Sequence, residues 1–399
     1  MKVVILDLLC AVPYYCGYLC RSLRSTGVDA TLASPRYYLD PMCFARSGVH
    51  NDAGFLDVTA SLRMRRQFLR RAVRFAEAVV NLTAWAIRLT LFRPEILHVQ
   101  YLSLLVRGVA LEIRFLKFVR WLGIRLVYTV HDAVLHDIGA TTFGRHEEVY
   151  RMADALICHT DATKRFLLRE LGISPGRIFV IPHGPLFGDM ASMSEIEARS
   201  ALRLSKDECI VLWQGIIKDY KGLPFLLESW KKVQQRRIPA RLLVVGTGEN
   251  RLLNQIRELV NGFEIRESVS MVFEFVPSDR LILYYRAADI LVYPYKTITT
   301  SGALMTGVAF GKAIVATALP YFEEELHDGR DALLVPYGDS TSMADAIERL
   351  ATQPALRREL GAAIASVNSR NSWETIAAAT QRCYKETLGS GAREPADAA

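Results

Sequence analysis

The sequence predicts an α/β protein built on two parallel sheets, and three observations carry that expectation. The chain has 399 residues, more than one ordinary domain of roughly 100–200 residues needs. Short apolar, β-branched runs alternate with longer helical patterns, which is how βαβ units read in a sequence. The alternation breaks at one polar stretch and then starts again, so two cores are expected.

The first set of strands is KVVILDLL, DATLAS, EILHVQY, RLVYTVHD, ALICHT and IFVIPHG, with helical patterns between them such as ATKRFLLRELG. The second is ECIVLWQG, ARLLVVGTG, SVSMVFEFV, ILVYPY, AIVAT and ALLVPY, separated by GLPFLLESWKKVQQR, NRLLNQIRELVNG, SDRLILYYRAAD and SGALMTGVAFG. The boundaries expected are 1–187 for the first Rossmann-like domain, 188–207 for a hinge around SMSEIEARSALRLSKDE, and 208–372 for the second. A helix at 373–388 is expected to cross back to the first domain, and a polar tail at 389–399 to be disordered. In open parallel sheets ligands sit at the carboxyl ends of the strands. Two doubly wound sheets facing a central cleft therefore place the informative residues just after strands.

Hydrophobic residues make up 51% of the chain and charged residues 23%, a globular composition. No run approaches the roughly 18 unbroken apolar residues of a spanning helix, and Asp7 interrupts the apolar start, so a cytoplasmic protein without a signal peptide is expected. Seven cysteines form an odd set without a CxxC pair, which indicates neither a disulfide framework nor a zinc site. No acidic cluster of magnesium-binding type follows a strand, so no metal is expected.

The net charge of +7 is lopsided: residues 1–190 carry 24 Lys and Arg against 16 Asp and Glu, and the remainder carry 25 against 26. Much of the excess lies in SLRMRRQFLRRAVRFAEAVVNLTAWAIRLTLFRPE, where Arg63, Arg65, Arg66, Arg70, Arg71 and Arg74 alternate with Phe68, Leu69, Val73 and Phe75. RFLKFVRWLGIR, from Arg114 to Arg125, repeats the pattern. Such segments suit an anionic membrane surface, with apolar residues dipping in and arginines held at phosphates; a helix with an ordinary solvated basic face is the plainer alternative. No nucleic-acid fold signature accompanies the charge, so nucleic acid is not an expected partner.

WQGIIKDYKG follows the first strand of the second set and places Gly215, Lys218 and Lys221 in a loop and helix start. Two ammonium groups beside free backbone N–H donors suit a diphosphate; surface lysines are the bland reading. GTGEN makes another strand-to-helix turn, where Gly246 and Gly248 permit close backbone approach to a ligand. ADILVYPYKTITTSGAL runs strand, loop, helix, with Tyr295 in the loop and Thr300, Ser301, Gly302 and Ala303 at the helix start, where unpaired N–H groups can bind phosphate oxygens. In the first domain His131 and Asp132 of TVHD follow a strand, His183 of IPHG lies at the domain junction, and Gly17 sits in the first loop, CAVPYYCGY. A buried structural histidine is the alternative for His131. For His183 a role in the chemistry and one in the domain contact both stay open.

In order and approximate spacing, GIIKDYKGLPFLLES, LLVVGTGEN, FEFVPSDRLILYYRAADILVYPY, SGALMTGVAFGKAIVAT and DALLVPYGDSTSMADAI resemble the nucleotide-sugar domain of GT-B glycosyltransferases of group 1, the retaining family 4. TVHD, VIPHG and SWETIAAATQRCYKETL extend the resemblance over most of the chain. It implies a GT-B fold and transfer of a hexose from a UDP- or GDP-linked sugar, the nucleotide sugar being a co-substrate and no cofactor being needed. It further implies that His131 contacts the transferred sugar, that Lys218, Lys221 and the Ser301 helix start stabilise the leaving diphosphate, and that Phe275, Val276 and Pro277 receive the nucleobase through backbone groups. Gly17 and Asp132 fall on the acceptor side. The family's two glutamates, seven residues apart, correspond here to Ile298 and Thr306; Thr306 keeps a hydroxyl for a ribose, whereas Ile298 replaces no acid. With the basic segments, the resemblance points to a lipid-linked saccharide or exopolysaccharide precursor as acceptor, met at the inner face of the membrane. A sugar-nucleotide epimerase and a non-catalytic scaffold partner of another transferase are the alternatives.

Overall fold

The computed structural model describes residues 1–50, 55–61, 67–131, 140–190 and 193–390. Asp132, Arg63, Arg65, Arg66 and the tail from residue 391 lie outside them. Backbone contacts divide the chain into two units, one of residues 1–184 with 373–399 and one of residues 185–372.

The first unit holds six parallel strands, β1 (Lys2–Asp7), β2 (Asp29–Ala33), β3 (Ile96–Tyr101), β4 (Arg125–Val130), β5 (Ala155–Cys158) and β6 (Ile178–Val180), in the order β2-β1-β3-β4-β5-β6. Their side chains are buried on both faces, as a parallel sheet covered by helices requires, and this is why the strands read as near-continuous apolar runs. Helix Pro13–Ser25 starts with proline at its first turn. Just before it, the buried Asp7 carboxylate accepts from the Ala11 and Val12 N–H groups, both at 2.8 Å. The stretch CAVPYYCGY is therefore mostly helix. Gly17, expected in a loop facing the acceptor, lies within that helix and packs on Ser47, whose Oγ would sit 3.1 Å from a Cβ at this position.

Helix Gln67–Phe92 buries Ala78, Leu82, Trp85 and Leu89, one turn apart, against the first core. That spacing is the inner stripe of an amphipathic helix. Its segment Phe68–Phe92 is long and apolar enough to cross a membrane by length and composition, although 33% of the richest window is buried in the protein. Exposed on the same helix are Phe68 and Phe75 near its start and Ile87, Leu91 and Phe92 near its end. Helix Leu111–Trp121 packs against it and leaves Trp121 78% exposed.

Helix Trp373–Gly389 belongs to this unit and lies on helix Pro13–Ser25. Trp373 stacks on Tyr18 with ring centroids 5.4 Å apart and meets Tyr15 edge-on at 5.3 Å. Its ring occupies the space that a side chain at residue 184 would need, so Gly184 is the residue that lets the chain leave the unit beside the point where it returns.

The second unit repeats the architecture with β7 (Cys209–Gln214), β8 (Ala240–Val245), β9 (Val269–Val272), β10 (Ile290–Tyr293), β11 (Ala313–Thr317) and β12 (Leu333–Val335), in the order β12-β11-β10-β7-β8-β9. Its core is built around the fully buried Trp213 and Trp230. The stretch expected to be a hinge, 188–207, is not all linker: Glu195–Ala201 is a helix opened by a capping box between Ser194 and Glu197, and it packs on helix Ser278–Ala287. Buried Arg199 fastens it through an ion pair with Asp289 at 2.6 Å, while Asp289 also accepts from the Ile210 N–H. Charges that complete a buried pair cost several kcal/mol to break singly, so this polar sequence folds.

Replacing Trp373 with alanine is expected to lower stability by about 3–5 kcal/mol through the cavity left over Gly184. Urea denaturation of the full chain checks it, and a loss under 1 kcal/mol would show that the return helix is held elsewhere.

Candidate functional site

In both sheets the chain reverses direction once. The second unit runs β7, β8, β9 outward and then places β10 on the other side of β7. Loops leaving the carboxyl ends of β7 and β10 thus part in opposite directions, which opens a crevice where ligands of such sheets bind.

Lys221 sits at that crevice. It ends the short turn Asp219–Lys221, after which Gly222 passes the chain into helix Leu223–Gln235. The ammonium lies so close over Gly215 that a Cβ there would stand 2.6 Å from Nζ, and Gly215 has φ +150°, a conformation that L side chains rarely adopt. On the other side Nζ is 5.4 Å from the ring centroid of the buried Tyr295, in the loop after β10, within cation–π range. A hydrogen bond from the Lys296 N–H to the Tyr220 carbonyl, 2.7 Å long, ties the two loops together. Thr317 Oγ1 donates to the Tyr295 carbonyl at 2.7 Å.

Half-buried Lys221 forms no ion pair with a carboxylate among the described residues, and burial lowers its pKa from 10.5 to about 8. A lysine whose folded pKa is depressed destabilises the fold while it is charged: on its account stability rises with pH between about 8 and 10.5. The charge is thus held at a cost that an anion beside it would offset. Lys218 precedes the same turn with extended backbone and is half-buried.

Ser301 caps helix Gly302–Ala309, its Oγ accepting from the Leu304 N–H at 3.1 Å. The backbone N–H groups of the first turn, beginning at Gly302 and Ala303, belong to the loop end of β10, next to the strand that carries Gly215. Thr300 stands just before the cap. The Tyr293 hydroxyl donates to the Ala303 carbonyl at 2.9 Å, and the Tyr285 hydroxyl to Gln214 Oε1 at 2.9 Å, so the buried phenols fasten the helix start to the sheet.

Two expected donor contacts come out differently. The Thr306 hydroxyl donates to the Gly302 carbonyl at 2.8 Å and the residue is 3% exposed, so it faces the core and has no open route to a ribose in this geometry. Gly246 and Gly248 give close approach, but to the neighbouring loop: a Cβ on Gly246 would strike the Gly215 carbonyl, and one on Gly248 would lie 2.9 Å from Ile217. The Ile217 N–H to Thr247 carbonyl bond of 2.7 Å is what these glycines allow. Val276 and Pro277 follow edge strand β9, two strands from the crevice; Val276 is buried, and the Pro277 carbonyl accepts from Leu281 N–H at 2.8 Å.

In the first unit His131 closes β4 and His159 closes β5, with His183 three residues beyond β6. Burial and the neighbouring histidines push the His131 pKa well below 6.5; burial lowers His159 to about 4 and His183 to about 3. The rings are neutral at physiological pH. His159 Nε2 stands 3.2 Å from His131 Nδ1, and Tyr15 packs against the His131, His159 and His183 rings at centroid distances of 4.9, 5.5 and 5.1 Å. Among the described residues no group of three His, Cys, Asp or Glu side chains converges as metal ligands do. The strand-end histidine of ALICHT carries the same signal as TVHD, a polar residue directly after an apolar strand, and sequence reasoning passed over it. His98, Gln100 and Tyr384, which join the same group, gave no such signal.

Residues 12–184 match the family described as Glycosyltransferase Family 4, and residues 208–353 match Glycosyl transferases group 1. A D-inositol 3-phosphate glycosyltransferase of Pseudarthrobacter chlorophenolicus is 28% identical over 305 residues, 73% of this chain and 70% of that protein. One of the same name from Acidothermus cellulolyticus is 27% identical over 286 residues, 67% of this chain and 63% of its own length. The chain thus spans between about three fifths and seven tenths of these relatives. In fold it resembles Anabaena HepE in complex with UDP-glucose, with a TM-score of 0.73, 15% identity and coverage of 98% of this chain and 100% of that one. Sucrose-phosphate synthase from Thermosynechococcus elongatus gives a TM-score of 0.72 at 18% identity, covering 98% and 99%. The two six-stranded parallel sheets, the likeness of fold and two family matches that together span most of the sequence have one explanation: the chain belongs to the group 1, family 4 glycosyltransferases of GT-B fold.

Proposed function

We propose that the protein transfers a hexose from a UDP- or GDP-linked sugar to a hydroxyl of a lipid-linked saccharide or exopolysaccharide precursor, with retention of anomeric configuration, at the cytoplasmic face of a membrane. The observation that carries the donor half is Lys221, an ammonium kept half-buried at the crevice with no carboxylate partner among the described residues. In the reaction the bond between the anomeric carbon and the diphosphate oxygen breaks as the acceptor oxygen bonds that carbon. The acceptor's proton leaves with the diphosphate. Lys221, Lys218 and the Ser301 helix start offset the charge that develops on the leaving group, which is electrostatic stabilisation supplied in advance. His131 serves as a neutral group toward the sugar, and no protein nucleophile is required.

The acceptor half rests on the exposed apolar and basic residues near the two ends of helix Gln67–Phe92. There Phe68 is 86% exposed and Leu91 83% exposed, beside the exposed Arg71 and Arg93. Each such side chain gains roughly 1.5–3 kcal/mol on leaving water, and each arginine about 1 kcal/mol near an anionic surface. The names of the relatives favour a second reading, a phosphorylated polyol as acceptor. Incubating the protein and labelled UDP-glucose or GDP-mannose with a membrane lipid extract or with inositol phosphate distinguishes the two. Label in the organic phase supports the first, label on the polyol the second. Release of nucleoside diphosphate with neither, or an altered sugar nucleotide without acceptor, would remove both. Inversion at the anomeric carbon, read by proton NMR of the product, would remove retention.

Calorimetric titration with UDP and GDP tests the cradle. Lys221→Ala is expected to weaken binding by about 10- to 100-fold, the worth of a charge-assisted hydrogen bond of roughly 1.5–3 kcal/mol. In the wild type, affinity is expected to fall above pH 8, as Lys221 loses its proton; an affinity flat from pH 7 to 10 would take Lys221 out of the site.

Flotation tests the membrane contact. Wild type is expected to rise with vesicles of half phosphatidylglycerol and half phosphatidylcholine, and the Phe68→Asp/Leu91→Asp variant to stay in the lower fraction. Equal recovery of the two proteins would dismiss this contact.

A further inference from the structure

Six groups in the first unit lie end to end. Tyr384 is 2.6 Å from His98 Nδ1; His98 Nε2 is 3.0 Å from Gln100 Nε2; Gln100 Oε1 is 3.2 Å from His131 Nε2; His131 Nδ1 is 3.2 Å from His159 Nε2; His159 Nδ1 is 2.9 Å from the Ile181 carbonyl. Proton positions follow from what each end can do. A carbonyl oxygen only accepts, so His159 carries its hydrogen on Nδ1, which leaves Nε2 of the neutral ring as a lone pair. Facing it, His131 Nδ1 must then be the donor. The neutral His131 ring therefore has its lone pair on Nε2, toward Gln100.

The carboxamide end facing that lone pair must be the NH2 group. With oxygen there, two lone pairs would oppose each other, or His131 would need a second proton among buried, neutral rings. A half turn of the amide, which leaves its shape unchanged, resolves this. Gln100 Nε2–H donates to His131, and Gln100 Oε1 accepts from His98 Nε2–H. Thr129 Oγ1, 2.7 Å from His98 Nε2, can share that hydrogen, and the Tyr384 hydroxyl donates to His98 Nδ1. Every group is then satisfied, with all donors pointing from Tyr384 toward Ile181.

We propose that Gln100 and His159 are positioning residues that lock His131 as the neutral Nδ1–H tautomer, with His98 and Tyr384 fixing Gln100 in turn. The lock deepens the reading of His131 as a sugar-contacting residue and rests on it for its purpose. Its consequence is chemical selection: the Nε2 lone pair is held by the Gln100 amide hydrogen, so only a ligand group that brings a hydrogen of its own can take that place, and a carboxylate is refused. Tyr15, at 90° to the His131 ring, holds the plane in which that lone pair lies.

Long-range proton–nitrogen correlation spectra of full-length protein labelled with 15N-histidine test the lock without any transfer assay, so its failure is separate from that of the proposed activity. His131→Asn identifies the His131 signals. The expected wild-type pattern is a pyrrole-type Nδ1 and a pyridine-type Nε2, unchanged from pH 8 to pH 5. In His159→Phe the Nδ1–H loses its acceptor, and the Nε2–H tautomer is expected to appear. The signals of His146 and His327 report that each variant is folded. An Nε2–H or doubly protonated His131 in the wild type at pH 7.5 would overturn the proposal, and that reading needs no variant. So would a folded His159→Phe protein whose His131 pattern is that of the wild type.

Discussion

A parallel sheet sends the carboxyl ends of all its strands to one edge, and winding it in two directions leaves one gap between loops along that edge. The candidate site depends on that constraint. In the second unit the gap lies between β7 and β10, and the loops beside it are built so tightly that backbone, not side chains, fills the space. Gly215 lies under the Lys221 ammonium and has its own carbonyl beside Gly246. A glycine motif is commonly read as room for a phosphate. Here the room is used by the neighbouring loop, and the proposed phosphate cradle is therefore the lysine and the helix start.

The first unit achieves similar definition by another route. Its strand-end groups are neutral rings, interlocked by hydrogen bonds and by the Tyr15 face. Burial keeps His131 and His159 neutral, and neutrality is what makes each ring a donor at one nitrogen and an acceptor at the other. A charged imidazolium would donate from both and lose the direction of the chain. The unit is closed by Trp373, which packs on Tyr15 and Tyr18. The helix that begins there carries Tyr384, the first donor of the row, so the segment that returns from the far end of the sequence also sets the protons at β4.

The strands were legible because a parallel sheet buries both faces and so writes unbroken apolar runs. The strand-end position of His131 was legible because a polar residue directly after such a run must lie at the sheet's loop edge, and Lys221 was placed in the loop that follows β7 by the glycines around it. Gly17 and Thr306 were misread because a motif fixes where a residue falls along the chain but not what packs against it: Gly17 lies inside a helix against Ser47, and the Thr306 hydroxyl turns to the Gly302 carbonyl. The helix Glu195–Ala201 was read as linker because its composition is polar, yet Arg199 is held by Asp289, 90 residues away. Pairings such as Tyr384 with His98, separated by 286 positions, exist only once the fold has brought the elements together.

The absence of the two glutamates also has a structural counterpart. A carboxylate at residue 306 would enter a region where Tyr285, Tyr293 and Tyr295 are wholly buried. Removing a charge from water without a partner costs far more than burying a hydroxyl. Thr306 instead bonds the carbonyl of Gly302, one turn back. Gly307 provides the space for the Tyr293 phenol, whose hydroxyl would meet a Cβ at that position, and the phenol donates to Ala303. Threonine, glycine and tyrosine thus form one neutral set that orients the helix start by hydrogen bonds to its own carbonyls. Restoring glutamate at 306 alone would set a charge against this set without removing the phenol that has taken the adjoining space. In the function proposed above, the anion-binding work then falls to the N–H groups and to Lys221.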